Sequence, residues 1–127
     1  MSYTIDELNA AIRDEESDWE GSWFEFSWLM ESDNEWRETE SGRQYVPKTQ
    51  PGVSIPGIGR AVQLAQHGGM DQGSDLWLVF EVTDEHGAKR IFRRTGYWMS
   101  YSGGEYDGPT EEVEPVQKLI TVWEAKQ

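Results

Sequence analysis

The chain has 127 residues, a length that fits one domain, and its net charge is −13 because 24 aspartates and glutamates outnumber 11 lysines and arginines. This charge counts against direct binding to nucleic acid or to an anionic membrane, since both would repel it. The sequence contains no cysteine, which excludes disulfides, thiolate metal sites and cysteine nucleophiles.

The first predicted element is a helix over about residues 4–15. Thr4 and Glu7 have the T-x-x-E spacing of a capping box, in which each side chain binds the other residue's backbone N–H. Leu8 and Ile12 recur at helical spacing and give the helix one apolar side. The same stretch shows neither the basic nor the apolar region of a signal peptide, so we expect a cytoplasmic location.

An acidic and aromatic segment follows at residues 16–42. Between residues 14 and 40 there are eleven acidic residues and one basic residue. Within it, residues 23–30 read "WFEFSWLM", and their aromatic enrichment predicts a β-strand. Four side chains would share one face of this strand: Phe24, Phe26, Trp28 and Met30.

The second half of the chain is predicted to be a sheet. The stretch "QYVPKTQPGVSIPGIG" holds three prolines and three glycines, so residues 43–58 are a predicted extended connector, in which short edge strands could form. From residue 59 to residue 125, alternating apolar residues predict strands that include "LWLVFEVT" and end with "VQKLITVWEA". We therefore expect one α+β domain, mainly β, with five or six antiparallel strands in a barrel-like or highly twisted sheet and one N-terminal helix. Three tryptophans in these strands are predicted core residues: Trp77, Trp98 and Trp123.

Residues 57–126 resemble a family of small proteins. The strings that carry the resemblance are "GGMDQGSDLWLVFEVTD", "RIFRRTGYWMSYSGGEYDG" and "EVEPVQKLITVWEAK". They resemble an uncharacterised family encoded by phages of actinobacteria. The resemblance implies a phage accessory protein that acts in the cytoplasm of a bacterial host, and it implies no particular chemistry.

The sequence predicts no catalytic residue and no cofactor. His67 and His86 each stand beside glycine in a predicted turn, without a residue pattern that would orient them for catalysis. Nucleophile-elbow and phosphate-loop motifs are absent. The stretch "GIGRAV" lacks the third glycine of a dinucleotide-binding fingerprint and no helix is predicted after it.

Two glycine-rich loops contain carboxylates that a calcium ion could use. They lie at residues 68–75 and 103–108, and neither has the spacing of a calcium-binding loop. Short polar side chains in such loops commonly bond their own backbone. We therefore predict turns there and no metal site, although the sequence by itself does not decide whether either loop binds an ion.

Tryptophans among the acidic residues predict a surface for a basic protein partner. Exposed tryptophan beside carboxylates is typical of residues that dominate binding energy at interfaces. The residues expected to bind the partner are Asp14, Glu15, Glu16, Asp18, Trp19, Glu35 and Trp36. The alternative is that the predicted strand at residues 23–30 packs these tryptophans into the core.

The basic stretch "KRIFRR" has a second functional interpretation. With the tyrosines that follow it, it could bind a nucleotide or another anion by ion pairing and stacking. The residues of this alternative ligand site are Arg90, Arg93, Arg94, Tyr97 and Tyr101. The other interpretation is an exposed basic strand neutralised by the acidic segment.

These patterns leave three functional hypotheses. The first is a non-enzymatic phage accessory protein that binds a basic surface of a host protein, as an inhibitor or a mimic of nucleic acid. The second is a small-ligand binder that sequesters a nucleotide signal of the host. The third is a minor virion or assembly protein. No direct contact with nucleic acid or membrane is expected.

Overall fold

The computed structural model describes residues 3–67, 75–99, 103–106, 108–119 and 121–126. Within these ranges the chain forms two helices and eight strands. The helices are α1 (Ile5–Ile12) and α2 (Trp23–Glu31). The strands are β1 (Asn34–Thr39), β2 (Gly42–Pro47), β3 (Val53–Ile55), β4 (Gly59–His67), β5 (Asp75–Thr83), β6 (Lys89–Met99), β7 (Gly103–Glu105) and β8 (Thr110–Val113).

Helix α1 begins at the predicted capping box. The Glu7 backbone N–H donates to Thr4 Oγ1 at 3.1 Å, and the Thr4 backbone N–H donates to Glu7 Oε1 at 3.0 Å. These two bonds satisfy backbone donors that a helix N-terminus leaves without partners. The helix ends at Ile12, about one turn earlier than predicted, and it buries Leu8 and Ile12.

The strand predicted at residues 23–30 is wrong, because this segment forms helix α2. The Ser22 side chain caps the helix by accepting from the Glu25 backbone N–H at 3.2 Å. The buried residues of α2 recur at helical spacing: Trp23, Phe26, Ser27, Leu29 and Met30. One row of side chains therefore faces the core, and the Trp28 side chain, which the strand pattern grouped with Phe26, is exposed.

The strands form two antiparallel sheets. β1 and β2 make a separate hairpin, and the predicted connector contains most of β2 together with the short strand β3. The other six form a sheet in the order β3-β4-β5-β6-β7, with β8 paired to the first half of β6. In the described residues, β3 at one edge of this sheet does not pair with β7 or β8 at the other edge. The described part of the sheet is therefore open and does not form a closed barrel.

The core lies between the two helices and one face of the larger sheet. Phe80 on β5 is at its centre, with ring centroids 5.4 Å from Phe26, 5.8 Å from Phe92 and 6.1 Å from Trp23. Each fully buried side chain of this size stabilises the fold by about 1.5–3 kcal/mol. The prediction of a strand from the alternation in "LWLVFEVT" is confirmed, and the buried side chains of this strand are those that share a face with Phe80: Leu76, Leu78 and Val82.

The predicted last strand is not formed. Residues 114–119 and 121–126 have no regular secondary structure, and the Trp123 side chain is 91% exposed, so its predicted place in the core is wrong. A strand needs a neighbour that completes its hydrogen bonds and covers its side chains. The Trp98 side chain and Tyr101 lie outside the described residues.

A glycine before β3 is expected to be essential for stability. Gly52 has φ of +89°, and a Cβ there would lie 2.1 Å from the Ala61 carbonyl oxygen. Gly52→Ala should therefore lower the free energy of unfolding by about 2–4 kcal/mol, from strain plus displacement of β4. Gly57 is the matched control because it has φ of +78° and open space around it, so Gly57→Ala should cost only about 1–2 kcal/mol. Urea unfolding measures both, and equal losses would contradict the proposed backbone clash.

Candidate functional site

A surface depression lies where the turn before α2, the outer side of α2 and the hairpin β1–β2 meet. It has a volume of about 440 Å³. Its lining combines three carboxylates with four aromatic side chains: Asp18, Trp19, Glu20, Glu25, Trp28, Trp36 and Tyr45. We refer to these seven residues as the acidic–aromatic depression.

Trp19 forms the floor of the depression and holds the turn between the helices. Its side chain is 1% exposed, and its Nε1–H donates to the Ile12 carbonyl oxygen at 2.6 Å. That carbonyl belongs to the last turn of α1, where carbonyl groups have no N–H donor within the helix. The Trp19 ring also packs edge-on against Phe26, with centroids 5.1 Å apart. Burial of Trp19 leaves its two neighbours, Asp18 and Glu20, at the surface.

Helix α2 supplies one wall of the depression from its exposed side. Glu25 and Trp28 are three residues apart, so they are neighbours on the helix surface. Trp28 is 58% exposed, although a tryptophan of a globular protein is usually largely covered. Glu25 lies in the first turn, where the helix dipole favours a negative charge.

The hairpin supplies the opposite wall through a cross-strand aromatic pair. Trp36 on β1 is directly opposite Tyr45 on β2, with ring centroids 5.1 Å apart. The Tyr45 hydroxyl is 2.8 Å from Ser32 Oγ, which connects the hairpin to the end of α2. Both rings remain substantially exposed, at 43% for Trp36 and 39% for Tyr45.

A guanidinium group of the chain itself lies beside this depression. The Arg43 guanidinium is 5.3 Å from the centre of the Trp36 ring and makes an ion pair with Asp18. An arginine guanidinium is stabilised both by the face of an aromatic ring and by a carboxylate. The Arg43 side chain is 44% exposed, so the contact is at the surface.

Comparison of the chain with family models, with curated proteins and with solved structures finds no match. The resemblance of residues 57–126 to phage proteins therefore stays a prediction from the sequence, and the candidate site is assessed from its geometry.

The residues predicted for partner binding are only partly brought together. Asp18, Trp19 and Trp36 line the depression. The expectation that Trp19 is exposed is wrong, because the core encloses its ring. Glu35 points away from Trp36, as its neighbour along a strand must, and its carboxylate is 2.8 Å from Arg37 and 4.0 Å from Arg60. Three acidic residues of the same turn are exposed without lining the depression: Asp14, Glu15 and Glu16.

Sequence reasoning missed four of the lining residues: Glu20, Glu25, Trp28 and Tyr45. The misassigned strand at residues 23–30 is the main reason, since it grouped Trp28 with core residues. A signal for the correct structure was present in the sequence. Ser22 and Glu25 have the S-x-x-E spacing that marks a helix N-terminus.

The arginines of the alternative ligand site are separated and engaged within the protein. Successive residues of β6 point to opposite faces, so Arg90 and Arg94 share the core side while Arg93 is on the outer side. Arg94 is 2% exposed. Arg90 donates two hydrogen bonds to Glu112, at 2.8 and 3.1 Å, and these bonds hold the pKa of that carboxyl below its usual value. The exposed Tyr97 is on the outer side, and Tyr101 lies outside the described residues.

A second depression, of about 510 Å³, contains a histidine and carboxylates, including Asp84, His86 and Glu7. Asp84 Oδ1 accepts from the backbone N–H groups of Ala88 and His86, and these bonds lower the pKa of Asp84, with Ala88 as the larger cause. Glu7 is engaged in the helix cap. The carboxylates of Asp84 and Glu7 thus stabilise local backbone structure.

The histidine and the carboxylate-containing loops that remain do not form a catalytic or metal-binding cluster in the described ranges. The His67 ring stacks on Trp77 with centroids 5.3 Å apart. Over the described parts of the chain, no three His, Asp or Glu side chains are placed to hold a metal ion. Most of the loop at 68–75 and Asp107 of the loop at 103–108 lie outside those parts. Among the described residues, neither helix has the length and apolar character needed to cross a membrane.

Proposed function

We propose that the chain is a non-enzymatic interaction protein that binds a basic surface of another protein through the acidic–aromatic depression. The observation that carries the proposal is the convergence of Asp18, Glu20 and Glu25 with the exposed rings of Trp28, Trp36 and Tyr45. Carboxylates provide charge attraction, and the aromatic faces provide apolar area and cation–π contact.

The preferred ligand group is an arginine side chain. A guanidinium can pair with a carboxylate and stack on an aromatic ring at the same time, whereas a lysine ammonium is a more strongly hydrated point charge. Arg43 supports this preference, because its guanidinium already contacts Trp36 and Asp18. A partner arginine would join or replace Arg43 in this position.

The acidic residues around the depression would attract a basic partner electrostatically over a longer distance. Asp14, Glu15 and Glu16 are exposed on the adjoining turn. Charges at the rim of an interface mainly raise the association rate and make binding sensitive to salt. The partner would therefore be recognised first by its basic field and then by the aromatic contacts.

The biological setting is proposed from the resemblance of residues 57–126. A phage accessory protein in the cytoplasm of a bacterial host would meet host proteins whose basic surfaces normally hold nucleic acid. Occupation of such a surface by an acidic protein would inhibit it. The structure offers less support for the anion-binding alternative, because its arginines contact protein groups on opposite faces of β6.

Charge reversal inside the depression is the direct test. Glu20→Lys combined with Glu25→Lys should raise the dissociation constant for an arginine-rich peptide about tenfold or more, because both carboxylates would face the ligand. Titration by isothermal calorimetry over a salt series measures this effect, and affinity should fall steeply with salt. Pull-down from host lysate with the same protein then identifies the natural partner.

The matched control is Glu40→Lys combined with Glu85→Lys. These exposed positions, one in the hairpin turn and one in the turn after β5, give the same change in net charge but do not line the depression. Their effect should stay below about threefold, as for other surface charges. If both double variants lost the same affinity for the peptide, binding would depend only on net charge and not on the depression. If the unsubstituted protein did not bind the peptide even at low salt, the proposal would be rejected.

A further inference from the structure

The segment after β8 exposes a run of large apolar side chains. We refer to the described residues 114–119 and 121–126 as the arm. Four apolar side chains of the arm are largely exposed: Val116 at 66%, Leu119 at 104%, Val122 at 63% and Trp123 at 91%. Contiguous apolar exposure of this kind marks interaction surfaces in folded proteins.

The arm contains several residues that are enriched in strands, and the sequence pattern of residues 116–125 predicts a strand. It contains no glycine, and its apolar positions include valine and tryptophan, which are enriched in strands. Pro115 at its beginning favours an extended backbone at Glu114. The arm therefore has strand-forming residues, and what it lacks in the described structure is a strand to pair with.

The outer edge of β8 is a matching site for such a strand. In the described residues β8 pairs with β6 only, so one row of its N–H and C=O groups faces outward. An unpaired edge of this kind is a template for strand addition. Val113 on β8 is opposite Ile91 on β6, and both side chains are half-buried on the outer face of the sheet. An added strand would extend this apolar row.

The arm cannot easily reach the β8 edge of its own chain. β8 ends at Val113, so an antiparallel return would have to reverse at Glu114 and Pro115. A two-residue hairpin turn needs backbone conformations that glycine and asparagine adopt and that this pair does not. A longer reversal over residues 114–118 would consume Val116 and leave only Leu119 and the residues after it to pair. The β8 edge of a second copy can be reached without any reversal, so the whole arm could pair there.

Charge also favours a second copy at this place. The arm holds two acidic and two basic residues, Glu114, Glu124, Lys118 and Lys126, so it is neutral in a strongly acidic chain. On the adjacent outer face Arg93 is 3.5 Å from Glu111, so these charges are also balanced. Repulsion between two acidic copies would therefore be weakest here.

We propose that two copies form a symmetric dimer in which the arm of each copy adds as a strand to the β8 edge of the other. Each copy contributes the same two surfaces, its arm and its β8 edge, to this exchange. Both surfaces are then occupied in the dimer, so no third copy can be added in the same way. It completes the edge of each sheet and covers the apolar side chains of the arm. The contact is separate from the acidic–aromatic depression and does not depend on the function proposed for it.

Cysteine crosslinking tests the pairing, because the chain has no cysteine of its own. Chains with Leu119→Cys are mixed with differently tagged chains that carry Glu111→Cys on β8. A disulfide between the two kinds of chain is expected. The control partner carries Ser54→Cys, at an exposed position on the opposite edge strand β3, and should crosslink far less. An internal disulfide formed at high dilution by one chain with both substitutions would overturn the exchange.

Analytical ultracentrifugation tests the assembly. The full chain should sediment as a dimer at micromolar concentration, and Leu119→Asp with Trp123→Asp should raise the dimer dissociation constant at least about tenfold. The control Gln44→Asp adds a charge at an exposed hairpin position and should leave the dimer unchanged. Circular dichroism checks that each variant is folded. A full chain that is monomeric up to millimolar concentration, or a folded arm variant that still dimerises, would overturn the proposal.

Discussion

Replacement of Arg94 by leucine is expected to lower the free energy of unfolding by about 3–5 kcal/mol. The Arg94 guanidinium is buried 4.6 Å from the Trp23 ring, donates from Nε to the Tyr106 carbonyl oxygen at 2.8 Å and donates from Nη1 to Thr110 Oγ1 at 3.1 Å. Thr110 Oγ1 in turn donates to Asn9 Oδ1 at 2.7 Å. Leucine removes the donors and leaves these buried acceptors without partners, which is the costly outcome for a polar group.

Arg93→Leu is the matched control for this experiment. It changes the same residue type on the same strand, but its side chain is 42% exposed and its ion pair with Glu111 spans 3.5 Å. Exposed pairs contribute about 1 kcal/mol or less. Urea unfolding of both variants should therefore separate them clearly. If both variants lost a similarly small free energy of unfolding, Arg94 would not be a structural residue. It would then again be a candidate for ligand contact.

The elements that the sequence predicted well are those with local signals. The capping box of Thr4 and Glu7 indicates the start of α1, and alternation in "LWLVFEVT" indicates the strand β5. Such signals depend on residues a few positions apart, so the sequence alone contains them. The open sheet and the pairing of β8 with β6 depend on contacts between residues that are distant in the sequence.

Helix α2 shows how two local signals can conflict. The aromatic content of residues 23–30 favours a strand, whereas Ser22 and Glu25 indicate a helix start. Tertiary packing decides between them, because helical spacing places Trp23 and Phe26 together against Phe80. β-Propensity largely reflects packing on a sheet surface, so it is a weak guide where the neighbours are unknown.

The candidate site could be predicted only in outline. The acidity of the segment and the exposure of Trp36 follow from composition and local sequence. The burial of Trp19 does not, since it depends on the Ile12 carbonyl and the Phe26 ring. Tyr45 could not be placed in the site without the hairpin register that sets it opposite Trp36. Side chains from three separate elements form the depression, so their convergence is a property of the fold.

The two proposed contact surfaces differ in chemistry and so should respond differently to solution conditions. The acidic–aromatic depression binds through charge and aromatic faces, and salt should weaken it. The arm has no net charge and would pair through its backbone and apolar side chains, so salt should affect its pairing little. A salt series in which peptide binding is lost while the dimer persists would therefore separate the two surfaces without any substitution.

Trp19→Ala is expected to lower stability, whereas Trp28→Ala is expected to weaken binding and to leave stability nearly unchanged. Trp19→Ala should lower the free energy of unfolding by about 3–5 kcal/mol, because it empties a buried site and leaves the Ile12 carbonyl oxygen without its donor. Trp28→Ala should change that free energy by about 0.5 kcal/mol or less, since its ring is 58% exposed. The same change should weaken binding of an arginine-rich peptide about tenfold or more, because it removes an exposed aromatic wall of the depression.

Urea unfolding and calorimetric titration at one salt concentration measure both quantities on the same preparations. Trp19→Phe serves as a conservative control, because it keeps an aromatic ring against Phe26 and removes the donor to Ile12. It should cost less stability than Trp19→Ala. If Trp19→Ala instead left unfolding unaltered and abolished binding, Trp19 would be a direct partner contact, as the sequence alone predicted. Loss of affinity at Trp28 with intact stability would place the energetic centre of binding on the exposed side of α2.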